Sequence, residues 1–127
     1  MKLADTSLFI DYERGDALAA DRIATLIEAG ELAVCAVTRY ELTCSQGLPE
    51  RWREFYDELF EVVPVLPVTS TAAALAADAA VRAAQSIRAK APDALIAGVA
   101  LEHDIPVVTA DSDFLALGPA VELVRTS

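Results

Sequence analysis

The stretch from Pro92 to Phe114 reads PDALIAGVALEHDIPVVTADSDF, and the order of its elements decides the fold. Proline suits the first turn of a helix, where its missing N–H removes no hydrogen bond. An apolar run then follows, and the helix is expected to continue to about His103. Ile105 to Thr109 is a short, β-branched run without polar alternation, the pattern of a strand covered on both faces. Asp111 to Leu117 reads as a turn and a short helix. Helix, buried strand and acidic turn in succession make the repeating unit of a parallel α/β sheet, where ligands bind outside the carboxyl ends of the strands.

The flanking sequence extends the same alternation. On the N-terminal side, Leu3-Ala4 is a short strand ending at Asp5, and Ser7 to Tyr12 is a short helix. Asp16 to Ala29 carries apolar residues at helical spacing, with Asp16 as N-cap and Gly30 just past the end. Leu32 to Val37 is expected as a buried strand, Thr38 to Gln46 as a helix, and Pro49 to Leu59 as a second helix with Trp52, Phe55, Tyr56 and Leu59 on one face. Phe60 to Val65 is strand-like, and Thr69 to Lys90 reads as one long alanine-rich helix. Val121 to Val124 closes the chain as a last strand. The expectation is a three-layer α/β/α architecture around a mostly parallel five-stranded sheet, in a single domain spanning residues 1–127.

Composition narrows the function. The chain is 54% hydrophobic and 24% charged, which fits a folded core rather than disorder. Its formal net charge of −10 argues against a protein that grips nucleic acid through a basic surface. It suits a site that concentrates carboxylates around a cation, or a surface that meets a basic partner. Cys35 and Cys44 do not form a close-spaced pair and read as reduced thiols. No window has membrane-spanning length without a charge or a proline, and no signal sequence is evident, so a cytoplasmic location is expected.

Four acids fall where the fold rule points. Asp5 ends the first strand, Glu41 lies in the first turn of the helix after the second, Asp93 follows Pro92, and Asp111 ends the fourth. Each has a plainer reading: Asp5, Asp93 and Asp111 as caps, Glu41 as a solvated helix residue. A parallel sheet would nonetheless bring all four to one edge, where their repulsion calls for a cation or for protons. Oxygen-only ligands suit Mg²⁺ or Mn²⁺, and either ion, singly or as a pair, supplies what phosphodiester hydrolysis needs. His103 is the one histidine, so an acid–base pair of histidines is excluded; near a helix C-terminus it complements the dipole. The glycine-rich loops of nucleotide-binding proteins and the nucleophile elbow of serine hydrolases are absent from the sequence.

Taken in order, these motifs resemble those of the PIN domain family, specifically the VapC-type toxins of toxin–antitoxin pairs. The matching segments are Leu3-Ala4-Asp5-Thr6-Ser7, Thr38-Arg39-Tyr40-Glu41-Leu42, Pro92-Asp93-Ala94-Leu95-Ile96-Ala97 and Val108-Thr109-Ala110-Asp111-Ser112-Asp113-Phe114. The resemblance implies a Mg²⁺- or Mn²⁺-dependent endoribonuclease that cuts RNA, forms homodimers, and is neutralised by a cognate antitoxin. It makes Asp5, Glu41, Asp93 and Asp111 the catalytic, metal-binding acids. Asp113 becomes a support for them or a cap, and Thr6 and Thr109 become hydroxyls that orient a water or phosphate, or simply strand-end hydroxyls. Arg14, Arg39, Arg82, Arg88 and Lys90 are candidates to hold neighbouring RNA phosphates, against a plain reading as solvated residues. The helices at Asp16–Ala29 and Pro49–Leu59 would line a groove for a basic antitoxin tail, unless core packing alone explains their apolar faces.

Two other functions use similar parts. A signalling receiver domain also combines a parallel sheet, an acidic pocket and Mg²⁺. It needs a lysine after a late strand, and the two lysines, Lys2 and Lys90, are not placed there. A non-catalytic module of the same fold would keep the acids and bind RNA or a protein without cutting.

Overall fold

A computed structural model of the chain describes residues 1–125; the last two residues of the expected domain lie outside that range. Five strands form one sheet in the order β3-β2-β1-β4-β5, with every neighbouring pair parallel. The strands are β1 (Lys2–Ala4), β2 (Leu32–Cys35), β3 (Val65–Leu66), β4 (Val107–Thr109) and β5 (Val121–Leu123). Helices α1 (Thr6–Glu13) and α2 (Ala17–Glu28) join β1 to β2, and α3 (Ala36–Thr43) and α4 (Glu50–Val62) join β2 to β3. Helices α5 (Ser70–Ala83) and α6 (Ala91–His103) then carry the chain back across the sheet to β4, and a 3-10 turn (Ser112–Ala116) leads towards β5.

The strands are apolar on both faces because both faces are covered. Leu3, Ala33, Cys35 and Val107 pack with Ile96, Ala97, Ala72 and Phe114 on one side. Ala4, Val34 and Val108 pack with Leu8, Phe9, Ile23 and Tyr56 on the other. Successive strand residues thus alternate between two cores, and neither face tolerates a polar period. The expected architecture is the observed one, with a sheet that is parallel throughout.

The alanine-rich half has a packing reason. A Cβ at Gly98 of α6 would lie 2.2 Å from the Ala72 carbonyl oxygen and 2.8 Å from Ala76 Cβ, so α5 and α6 meet almost backbone to backbone. Small residues are what such a contact admits.

Several expected boundaries differ, among them the helix read at Thr38–Gln46, which runs Ala36–Thr43, and the strand read from Ile105, which starts at Val107. The strand read at Leu32–Val37 stops at Cys35, and α3 begins at Ala36, because a short apolar run does not distinguish strand from buried helix. The strand read at Phe60–Val65 is mostly the end of α4, and β3 is confined to Val65–Leu66. Tyr56 and Phe60, four residues apart and both buried, stack at 5.9 Å on one helical face, and this packing outweighs the β-branched residues that follow. The long helix read to Lys90 ends at Ala83, whose carbonyl accepts from both Ser86 and Ile87 amides. Ile87 and Ala89 then turn towards the core while Arg88 and Lys90 stay exposed, the two-residue period of extended chain.

The topology has one reversal of strand order. From β1 the chain winds outward through β2 and β3, then crosses to β4 on the other side of β1. The crevice outside the carboxyl ends of β1 and β4 is therefore the switch point, the place where such folds bind ligands.

Candidate active site

Asp5 leaves the end of β1 directly into that crevice. Its backbone amide donates to the Val108 carbonyl at 3.0 Å, so it stays in register with β4. Its carboxylate caps α1 by accepting from the Leu8 amide at 3.4 Å, and also accepts from Ser7 Oγ, 2.9 and 3.0 Å from its two oxygens. The cap and the site role are compatible, since a carboxylate has four lone-pair positions. Asp5 is only 2% exposed, and that burial, together with the charge of Asp93, pushes its pKa up to about 6 against the hydrogen bonds that favour ionisation.

Asp111 follows β4 in the same crevice. Its amide donates to Thr109 Oγ1 at 2.9 Å, and its carboxylate accepts from the Asp113 amide at 2.9 Å, capping the 3-10 turn. Asp113 itself is exposed and joins the site through that backbone contact and through its charge. Asp93 sits in the first turn of α6, one residue after Pro92, with the helix dipole in its favour. It is not the cap: that position belongs to Lys90. Burial raises the Asp93 pKa, and Asp111, Glu41 and Asp113 raise it further, while the Lys90 ammonium lowers it. Asp93 thus senses Asp111, Glu41 and Asp113, and its own charge acts on Asp5.

Glu41 lies one turn deeper in α3 than expected, because the helix starts at Ala36 rather than Thr38. Its Oε1 accepts from Thr6 Oγ1 at 2.6 Å, and Thr6 Oγ1 is also 3.1 Å from Thr38 Oγ1. Thr6, Thr38 and Thr109 are all buried.

Ser7 is the site residue that sequence reasoning passed over. Besides Asp5 it reaches Thr109 Oγ1 at 3.3 Å and accepts from the Ala110 amide at 3.3 Å. One hydroxyl therefore ties the end of β1 to the loop after β4. The available signal was its place two residues after Asp5, on the same first helical turn.

The expected phosphate-binding arginines are exposed and dispersed. Arg14 closes α1, Arg39 lies over the Phe60 ring at 5.4 Å, Arg82 flanks a cleft with Asp78 and Leu101, and Arg88 is in the loop before α6. The cation that bears on Asp93 is Lys90.

As the side chains stand, no three acids among the described residues converge tightly enough to form a finished metal-ligand set. The donor chemistry nonetheless fits a hard divalent cation: the donors are oxygens, and burial first, then neighbouring negative charge, makes Asp5 and Asp93 hold protons more tightly.

The helices read as groove-lining bury most of their apolar faces in the core: Ala19, Ile23 and Leu26 of α2, and Tyr56, Leu59 and Phe60 of α4. Leu18 and Ile27 of α2 remain exposed. Of the two thiols, Cys35 is buried and Cys44 exposed, and they are not bonded. No helix among the described residues is long and apolar enough to cross a membrane.

The family model described as PIN domain matches residues 2–118. Among solved structures, the chain is similar to VapBC-5 of Mycobacterium tuberculosis, a member of the VapBC family of toxin–antitoxin systems, at 30% identity and a TM-score of 0.64, covering 98% of this chain and 97% of that one. It is similar to FitAcB of Neisseria gonorrhoeae at 25% identity and a TM-score of 0.77, covering 95% and 96%. DNA-bound VapBC of Salmonella typhimurium shares the fold, at 20% identity and a TM-score of 0.76 over 95% and 96% of the two chains. A search of curated proteins finds no match.

Proposed function

This chain belongs to the PIN domain family, of the VapC type, and on that premise we propose that it is the toxin of a toxin–antitoxin pair, acting as a metal-dependent endoribonuclease. The observation that carries the reading is the electrostatic convergence on Asp93, which senses Asp111, Glu41 and Asp113, and whose charge in turn raises the Asp5 pKa. Acids so gathered at a switch point destabilise one another unless they hold a cation.

Asp5, Asp93, Asp111 and Glu41 would hold Mg²⁺ or Mn²⁺. A divalent ion bound there supplies charge stabilisation for a phosphodiester and a lowered pKa for the attacking water. The protein's part is placement. Asp5 is fixed by burial, by its cap and by Ser7. Asp111 is fixed by the Thr109 hydroxyl and by the turn it caps. Thr109, wholly buried, orients these neighbours and is not free to meet substrate. Lys90 offsets part of the negative charge at Asp93.

The net charge of −10 sets the partner rather than the substrate. An acidic surface repels RNA, so binding energy must come from the cation and a few basic side chains such as Lys90, Arg88 and Arg39. The same surface favours a basic antitoxin. VapBC-5 is described as a member of a toxin–antitoxin family, and we extend that assembly to this chain: a heteromer with its antitoxin, built on a homodimer, in the cytoplasm.

The test is cleavage. Purified protein with Mg²⁺ or Mn²⁺ should cut RNA, chelation should stop it, and Asp5→Asn should abolish it with the far-ultraviolet dichroism unchanged. Cleavage that survives both chelation and Asp5→Asn overturns the reading. A folded protein that binds the ion and RNA without cutting would instead be the non-catalytic module.

A further inference from the structure

We propose that Thr6 is a positioning residue for Glu41: its hydroxyl holds one carboxylate oxygen of Glu41, so that the other is the oxygen offered to a cation. The inference rests on the metal-site reading above.

The geometry runs through two helices. Thr6 is the first residue of α1, fixed beside Asp5 by the end of β1 and the cap, and it is 8% exposed. Thr6 Oγ1 donates to Glu41 Oε1 at 2.6 Å and stands 3.1 Å from Thr38 Oγ1. Thr38 is wholly buried and lies three residues before Glu41, on the same face of α3. A hydroxyl has one proton to give and two lone pairs. The Thr6 proton has two acceptors in reach, Glu41 Oε1 and Thr38 Oγ1, and the shorter contact to the charged carboxylate takes it.

That donation does two things. It immobilises a long side chain on α3 against the first turn of α1, so the Glu41 carboxylate is placed relative to Asp5 before any cation arrives. It also places a short, charge-assisted hydrogen bond on Oε1, so that Oε2 is the less encumbered oxygen and the one offered to a cation. Valine has nearly the shape of threonine and no hydroxyl, whereas serine keeps the hydroxyl, so the two substitutions separate donation from packing.

Two measurements test this: Mn²⁺ titration by calorimetry, and crystal structures of the metal-free protein. Thr6→Val should weaken Mn²⁺ binding about 10- to 100-fold, the usual cost of losing a partner that orients a metal ligand. Thr6→Ser should bind within a few-fold of the wild type. In a Glu41→Ala background, Thr6→Val should add no further loss, because the two changes remove one interaction. In metal-free crystals, Glu41 should rest on residue 6 in the wild type and in Thr6→Ser, and leave it in Thr6→Val. Wild-type protein that binds no Mn²⁺ overturns the metal-site reading and this inference together. Wild-type binding matched by Thr6→Val, an added loss in the Glu41→Ala background, or wild-type Glu41 turned away from Thr6 in the crystal overturns this inference alone.

Discussion

Ser7 Oγ lies 2.9 Å from Asp5 Oδ1 and 3.0 Å from Oδ2, so a single hydroxyl is shared by both oxygens of the buried carboxylate. The same oxygen accepts from the Ala110 amide and stands beside Thr109, which makes it the joint between the end of β1 and the loop that carries Asp111. Ser7→Ala removes the joint and one of the two hydroxyls, with Thr109, that favour ionised Asp5. The expected stability loss is about 1–3 kcal/mol, the cost of unsatisfying a buried polar group. RNA cleavage should fall by about 10- to 100-fold, as it does when the residue behind a metal ligand is lost. Denaturant unfolding and cleavage rates measured on the same preparation check both numbers; a variant with wild-type cleavage would remove Ser7 from the site.

Asp5 contributes to the pH dependence of the metal-free protein, in the same direction as Asp93. Its folded pKa of about 6 lies above the ordinary 3.8, so between those values the folded state keeps a proton that the unfolded state has released. The sign follows: this group favours folding below about pH 4, and stability falls by about 3 kcal/mol as pH rises to and past 6. Asp5→Asn cannot ionise and should melt several degrees higher than wild type at pH 7.5, without metal, and show a shallower decline with pH. Mn²⁺ should raise the melting temperature of the wild type at pH 7.5 and leave that of the variant nearly unchanged. Parallel pH profiles for the two proteins would show that Asp5 carries no such penalty.

Both residues show what the sequence discloses and where it stops. Asp5 and Asp111 are legible because a parallel fold sends the residue after each buried strand to one edge, and the strands themselves are apolar on both faces. Asp93 is legible through Pro92, which marks a first turn. Ser7 and Thr38 are hidden, since a hydroxyl's partner is set by a tertiary approach that no local pattern encodes. The end of α4 is hidden for a related reason: Phe60 to Val65 has strand propensity, and only the stack of Tyr56 on Phe60 makes the first part helical. Likewise, alanine content predicts helix up to Lys90, yet nothing local announces that Ile87 and Ala89 are drawn to the core.

Gly98 bears on the α5–α6 contact. Alanine there would gain helix propensity, about 1 kcal/mol, but its Cβ would fall 2.2 Å from the Ala72 carbonyl oxygen. The steric term wins, because the obstacle is backbone and cannot rotate away. Gly98→Ala should destabilise by about 1–3 kcal/mol in denaturant unfolding. Equal or greater stability would mean that α5 and α6 are not so close.

Tyr56 is buried among Phe9, Phe55 and Phe60, and its hydroxyl donates to Glu13 in a short hydrogen bond. Tyr56→Phe leaves the ring and strands the half-buried Glu13 carboxylate. The expected cost is about 1–3 kcal/mol, as for a hydrogen bond to a charged group. RNA cleavage under stabilising conditions should be unchanged, because this contact is on the face of the sheet opposite α6. A cleavage defect larger than the loss of folded protein would tie this aromatic cluster to the site.

Asp93 is the acid on which the charges of Asp111, Glu41 and Asp113 converge. Its most direct test is the cleavage of RNA by wild-type and Asp93→Asn protein in Mn²⁺, with both shown to be folded by their unfolding transitions. The account predicts cleavage by the wild type and none by Asp93→Asn, whose fold should be at least as stable without metal because a repelled carboxylate is gone. Full cleavage by folded Asp93→Asn would contradict it.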